Sequence, residues 1–163
     1  MAEPMDKGTT IMSWLEEVKD PEIPVLSVVD LGIVTKVEAS GDKVRVTITP
    51  TFVGCPALDM MKGDIRKVLE AHGEKEVQVD VTIDPPWTTD RISEKGRLAL
   101  KQFGLAPPPS RKLFEDLDIL EHARCPRCDG VNTELRSPFG STLCRAIYYC
   151  ADCRESFEQF KPL

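Results

Sequence analysis

Thr49-Pro50-Thr51-Phe52-Val53-Gly54-Cys55-Pro56-Ala57 joins two different hydrophobic periodicities, and its reading decides the fold. Before it, Val44, Val46 and Ile48 alternate with Arg45, Thr47 and Thr49. After it, Leu58, Met61, Ile65, Val68 and Leu69 recur at helical spacing. The pattern predicts a half-buried strand followed by an amphipathic helix from about Ala57 to His72, with Gly73 as its stop. Gly54 permits a sharp turn, and Pro56 suits the first helical position, where the missing N–H has no intrahelical partner. Cys55 then falls at or beside the helix N-cap. Free backbone N–H groups and the positive end of the helix dipole there lower a thiol pKa, which makes Cys55 a candidate nucleophile or metal ligand. The plainer reading is a small cysteine that fills the turn.

Upstream, Thr10 can cap a first helix with Ile11, Trp14, Leu15 and Val18 on one face, ending by Asp20-Pro21. Pro21 and Pro24 exclude a helix interior, so residues 20–27 read as an ordered loop packed by Ile23, Val25 and Leu26. A strand from Ile33 to Ala39 follows, and Ser40-Gly41-Asp42 reads as a hairpin turn into the second strand. Asp30, between apolar neighbours, needs backbone, thiol or hydroxyl partners, or serves as a cap or turn residue. Downstream, Val77, Val79, Val81 and Ile83 alternate as a third strand, which a right-handed crossover places parallel to the second. Trp87 closes it, either as an exposed partner contact or as a core lid. Thr89 or Asp90 caps a last helix that runs through Phe103 and stops at Gly104. Met60 and Met61 read as core filler, and His72 as a favourable charge or a bystander at a helix end.

The expected fold is thus an α+β (α/β sandwich) arrangement, helices on a small three-stranded mixed sheet, with a zinc ribbon at the C-terminal end. The first domain is assigned to residues 1–105. Residues 106–121 form a spacer and arm, with Pro107-Pro108-Pro109 giving a stiff extended segment and Leu113, Phe114, Leu117, Ile119 and Leu120 able to dock back. Residues 122–163 form the ribbon. There Cys125-Pro126-Arg127-Cys128 and Cys150-Ala151-Asp152-Cys153 are two C-x2-C pairs separated by about twenty residues, the spacing of a four-thiolate zinc site. Short strands are expected at Val131–Leu135 and Ala146–Tyr149. With all four positions taken the site reads as structural, and iron in a rubredoxin-like arrangement is the chemical alternative. Cys144 falls outside both pairs, as a spare thiol, a substitute ligand or a residue facing the other domain. His122 reads as a surface residue.

Composition narrows the function. The chain has 163 residues, a net charge of −6 and a pI near 5.0, against a nucleic-acid or anionic-membrane partner. From His122 onward six Lys or Arg face five Asp or Glu, while the preceding residues carry 15 against 22, so neither part has a basic stripe. A protein-binding ribbon is the better expectation, with Phe139, Tyr148, Tyr149, Phe157 and Phe160 as its aromatic surface. With no signal-peptide pattern at Met1-Ala2-Glu3-Pro4 and no bilayer-length apolar run, the cytoplasm is expected, where six cysteines point to metal or thiol chemistry.

Asp20-Pro21-Glu22-Ile23-Pro24-Val25-Leu26-Ser27-Val28-Val29-Asp30-Leu31-Gly32, with Thr49-Pro50-Thr51 and Gly54-Cys55-Pro56-Ala57, resembles the small domain of iron–sulfur assembly factors of the SufT and cytosolic-targeting type. Pro85-Pro86-Trp87-Thr88-Thr89-Asp90, the Cys-Pro-x-Cys pair and Phe139-Gly140-Ser141-Thr142-x-Cys144 extend the resemblance, over almost the whole chain, to the PaaD (PaaJ) family. These are the D components of bacterial phenylacetyl-CoA 1,2-epoxidase systems. The resemblance implies a non-catalytic accessory component of a multicomponent monooxygenase in aerobic phenylacetate degradation. Its partners would be the di-iron oxygenase, the reductase, or both. It further implies that Cys55 is a transient iron or iron–sulfur ligand, oriented or hydrogen-bonded by Asp30 and Thr51, while Cys125, Cys128, Cys150 and Cys153 hold zinc. Asp129 and the terminal Glu158-Gln159-Phe160-Lys161-Pro162-Leu163 depart from the commonest form of that ribbon. Two histidines in all are too few for a di-iron site, and no dinucleotide-binding glycine motif is present. The alternative role is a coupling component that bridges reductase and oxygenase through the ribbon and Trp87. An independent thiol enzyme is weaker, since no histidine base is identifiable near Cys55 in the sequence. Oligomeric state stays open, a homodimer included.

Overall fold

The computed structural model describes residues 6–109 and 123–162. Its elements are α1 (Lys7–Leu15), β1 (Val34–Ser40), β2 (Lys43–Ile48), α2 (Leu58–Ala71), β3 (Glu76–Val81), a 3-10 turn (Thr89–Arg91), α3 (Glu94–Phe103), β4 (Leu105–Ala106), β5 (Thr133–Ser137), β6 (Arg145–Cys150) and β7 (Glu155–Phe160). They form two units. The first holds the chain up to Trp87 plus Arg91–Ser93, and the second holds Thr88–Asp90 and the residues from Glu94 on.

In the first unit β1 and β2 pair antiparallel around the Gly41-Asp42 turn, and β2 pairs parallel with β3 from Lys43↔Glu76 to Ile48↔Val81. Helix α2 is the crossover that a parallel pair requires. Val44, Val46 and Ile48 enter the core with Met61, Ile65 and Leu69 of α2, as the two periodicities predict. On the opposite face Lys43–Glu76 (3.0 Å) and Arg45–Asp80 (3.4 Å) pair across strands in solvent, where such pairs contribute little.

Several expectations are corrected. Helix α1 starts at Lys7 with Asp6 as its N-cap residue, and Thr10 lies inside it, its hydroxyl donating back to the Asp6 carbonyl at 3.4 Å. Val25 is exposed because Leu26 N–H donates to Ile23 O at 2.9 Å, which leaves Pro24 and Val25 at the tip of the turn while Ile23 and Leu26 point inward. Met60 faces solvent. Strand β3 stops at Val81, and Val81 and Ile83 are exposed. The last helix begins at Glu94, since the 3-10 turn occupies Thr89–Arg91. His72 is exposed at the end of α2, as a favourable charge there would be: its ring stacks on half-buried Trp14 (centroids 4.4 Å apart) and Nε2 lies 2.7 Å from Glu17 Oε1, which ties the end of α2 to α1.

The second unit is a four-stranded sheet in the order β4-β7-β6-β5, with β4 parallel to β7 and the other pairs antiparallel. Helix α3, assigned to the first domain in the sequence reading, and β4, which straddles the expected boundary at residues 105 and 106, group with this unit. Strand β7 has no counterpart among the expected strands. Tyr148 and Phe157 stack at 5.7 Å in a core that includes Ala106, Ala123 and Ala146, and Phe160 is buried too. Of the five aromatics expected on a docking surface, three are therefore interior; Phe139 is exposed and Tyr149 half-buried. The arm with Leu113, Phe114, Leu117, Ile119 and Leu120, and His122, lies outside the described residues.

Candidate metal centre and thiol site

Each C-x2-C pair sits on a tight backbone turn of the second unit. In the first, Asp129 N–H donates to Cys125 O at 3.0 Å and Cys125 N–H to Gly130 O at 2.9 Å. Both turns then pass through a left-handed residue just after the second cysteine, Asp129 (φ 59°) and Arg154 (φ 61°). Asp is one of the few side chains that tolerate this conformation, so its presence at 129 costs the turn little. Lys101 Nζ of α3 contacts Asp129 Oδ1 at 2.6 Å, and this contact holds the Asp129 carboxyl below the usual carboxylate range.

The turns bring Cys125, Cys128, Cys150 and Cys153 together with all four sulfurs within 4.8 Å of one another. Cys125 and Cys150 are buried, Cys153 is half-buried and Cys128 exposed. Two Sγ–Sγ separations are 3.7 Å (Cys125–Cys153) and 3.6 Å (Cys128–Cys150). Tetrahedral coordination with bonds of about 2.3 Å sets sulfurs about 3.8 Å apart, so the donor set fits one zinc-sized ion. Loss of water contact and the neighbouring Cys125 and Cys150 thiols push Cys153 up to about 12, whereas the Cys153 N–H draws Cys150 down. Thiols this close cannot all ionise beside one another unless a cation balances them. Cys144 stays outside the cluster, buried, with its sulfur 3.0 Å from Thr142 Oγ1.

In the first unit Cys55 is half-buried and follows Gly54, whose φ of +85° makes the turn. The N-cap of α2 is Ala57, with the Cys55 carbonyl accepting from Leu58 N–H at 3.2 Å. Cys55 therefore stands two residues ahead of the cap, and Pro56 is also outside the helix. The dipole effect fades within the first turn, so it acts on Cys55 more weakly than the sequence suggested. Thr51 is half-buried in the same connection.

Asp30 is buried, and hydroxyls supply its partners: Ser27 Oγ donates to Oδ2 at 2.8 Å and Ser93 Oγ to Oδ1 at 2.9 Å. The backbone repeats the link, Ser93 N–H donating to Asp30 O at 2.8 Å. The sequence called for backbone, thiol or hydroxyl partners, or a cap or turn role, and named neither serine. Ser27, three residues away, is a detectable local pattern; Ser93, sixty-three residues on, leaves no sequence signal. Trp87 is 5% exposed and its Nε1–H donates to Leu31 O at 2.9 Å, so it is the lid of this loop and not a surface contact.

Comparison with known proteins gives two matched families, an "iron-sulfur cluster assembly protein" family over residues 9–83 and a "PaaD zinc beta ribbon domain" over residues 109–161. An Escherichia coli protein provisionally named as the D component of 1,2-phenylacetyl-CoA epoxidase is 42% identical over 151 residues, 93% of this chain and 90% of that protein. The chain belongs to the PaaD family. A Porphyromonas gingivalis protein named as an Fe-S protein maturation auxiliary factor is 44% identical over 92 residues, 55% of this chain and 87% of that one. The crystal structure of a domain of unknown function from Bacillus anthracis superposes with a TM-score of 0.54 at 33% identity, covering 57% of this chain and 90% of that one. PaaD membership thus spans both units, while the maturation-factor likeness covers about half of the chain. No helix of the described residues is long and apolar enough to cross a membrane.

Proposed function

We propose that this chain is the accessory D component of a phenylacetyl-CoA epoxidase system in aerobic phenylacetate degradation, and that it matures or delivers an iron or iron–sulfur centre to the oxygenase or its reductase. The observation that carries the reading is the pairing, in one chain, of an iron–sulfur assembly domain with a PaaD ribbon, matched along nearly its full length by the E. coli epoxidase component. Cys55 is the transient thiolate ligand of the cargo metal, with Asp30 and Thr51 ordering its surroundings. A half-buried sulfur suits transfer: it is reachable by a partner, yet partly shielded from water and oxidants. Cys125, Cys128, Cys150 and Cys153 hold structural zinc, which supplies folding free energy to the second unit. The protein acts in the cytoplasm, beside the oxygenase and reductase components. The coupling role loses its aromatic anchor with the burial of Trp87.

Cys55→Ser decides the matter. The variant is expected to fold normally and keep its ribbon metal, while oxygenase and reductase components produced with it lack iron. Full iron occupancy and full epoxidase activity with the Ser variant would overturn the reading. A stoichiometric requirement for this chain at each turnover of already matured components would favour coupling instead.

A further inference from the structure

Among the described residues of the first unit, five large hydrophobic side chains are exposed, and four of them cluster by position: Val53 (79%), Met60 (57%), Val81 (40%) and Ile83 (62%). Val81 is the last residue of β3 and pairs with Ile48, the last of β2; Thr82 N–H donates to Ile48 O at 2.9 Å, which keeps the two strand ends together. Val53 lies in the connection leaving β2, and Met60 is in the first turn of α2. Because β2 and β3 are parallel and α2 runs back between them, all four lie at the same end of the unit, the carboxyl ends of the strands, around the Cys55 turn. This is the end at which open α/β sheets receive their ligands.

Two exposed acids flank the patch along the chain, with Lys62 the one basic residue in the same turn of α2. Asp59 precedes Met60 and Asp84 follows Ile83; both are exposed, and neither has an ion-pair partner among the described residues. Elsewhere on this unit the exposed acids Glu38, Asp42 and Glu76 each face a lysine and Glu17 faces His72, while Glu70 of α2 is also without an ion pair among the described residues. An apolar centre with unpaired carboxylates at its edge is complementary to an apolar protein surface rimmed by Lys or Arg.

The geometry points to Val53, Met60, Val81 and Ile83 as the docking surface for the client protein, an apolar protein face with a basic rim, which seats the client directly over Cys55. The inference rests on the transfer role of Cys55 proposed above, and it names the face by which the client is recognised.

The test uses the full-length chain with its ribbon metal and the purified oxygenase and reductase components as probes. Val53→Ser with Ile83→Ser, at two largely exposed positions, is expected to weaken binding to one component about tenfold or more, in keeping with loss of central apolar contacts. Asp59→Lys with Asp84→Lys is expected to slow association and flatten its dependence on salt. Circular dichroism and the fluorescence of Trp14 and Trp87 should match the parent. Unchanged affinity and unchanged salt dependence for both components would overturn the proposal. So would a change of sedimentation from dimer to monomer at unaltered client affinity, which would give the patch to a second copy of the chain. Cys55→Ser separates the two readings. Tight docking without iron transfer supports both. Full transfer by Cys55→Ser together with weakened docking by the serine pair would sink the thiolate role and leave the docking surface standing.

Discussion

Asp30 shows how one residue depends on distant ones. Its carboxyl oxygens are held by Ser27 and Ser93, and Ser93 is also fixed to the Asp30 carbonyl through its own N–H. Ser93→Ala should destabilise the protein by about 1–2 kcal/mol, the ordinary effect of removing a donor from a buried acceptor, and Ser93→Thr should restore part of it; urea denaturation reads both. Glu158 behaves differently. Burial raises its pKa, but the Ser141 N–H, the Arg145 guanidinium and the Ser141 hydroxyl outweigh that and hold it below the ordinary 4.5. A depressed folded-state value stabilises the fold above the unfolded pKa, and that contribution is lost as pH falls through the folded value. The parent chain should therefore lose stability relative to Glu158→Gln as pH drops below about 4.5, and thermal melts of the pair across that range check the sign. Cys55 and the four ribbon cysteines were legible as residues of interest because composition and spacing mark them. The serines of Asp30 were less so: the chain folds back to bring Ser93 there from sixty-three positions away.

At the scale of elements, the segment Arg91–Ser93 packs against the Asp30-Leu31-Gly32 turn so closely that only glycine fits. Gly32 has φ +71°, and a Cβ added there would overlap the Arg91 carbonyl oxygen and side chain; Gly41, with φ +58°, has open space around it. Alanine at both positions meets the left-handed penalty of about 1–2 kcal/mol, but Gly32→Ala adds overpacking and should reach about 3 kcal/mol or more. Equal melting-temperature shifts for the two variants would show that the close packing against Arg91 does not matter. Strands β1 to β3 and helix α2 were readable because their apolar residues keep period 2 or 3.6 over long enough runs. Strand β7 was not. Within Glu155-Ser156-Phe157-Glu158-Gln159-Phe160 the two phenylalanines are three apart, which fits no strand alternation, and the polar Gln159 takes a buried place.

At the scale of the molecule, the two units have separate cores, and the metal site belongs to the second. A strong chelator should unfold the second unit while leaving the first folded. Because α3 and β4 group with the ribbon, amide exchange of residues 94–106 should accelerate together with that of 133–160, while α1 and α2 stay protected. Protection of α3 that survives chelation would place it with the first core after all.

The sequence by itself determined the order of elements from α1 to α3, the mixed three-stranded sheet, the four-thiolate cluster and the membership of the family. Each of these is written in local periodicity or in the spacing of rare residues. Only the tertiary structure decided that α3 and β4 join the second unit, that Trp87, Tyr148, Phe157 and Phe160 are interior, that Ser93 serves Asp30, and that Val53, Met60, Val81 and Ile83 meet at one end of the first unit. Burial and long-range hydrogen bonding depend on which surfaces the folded chain brings together, and an apolar residue looks the same in the sequence whether it ends in the core or at an open strand end.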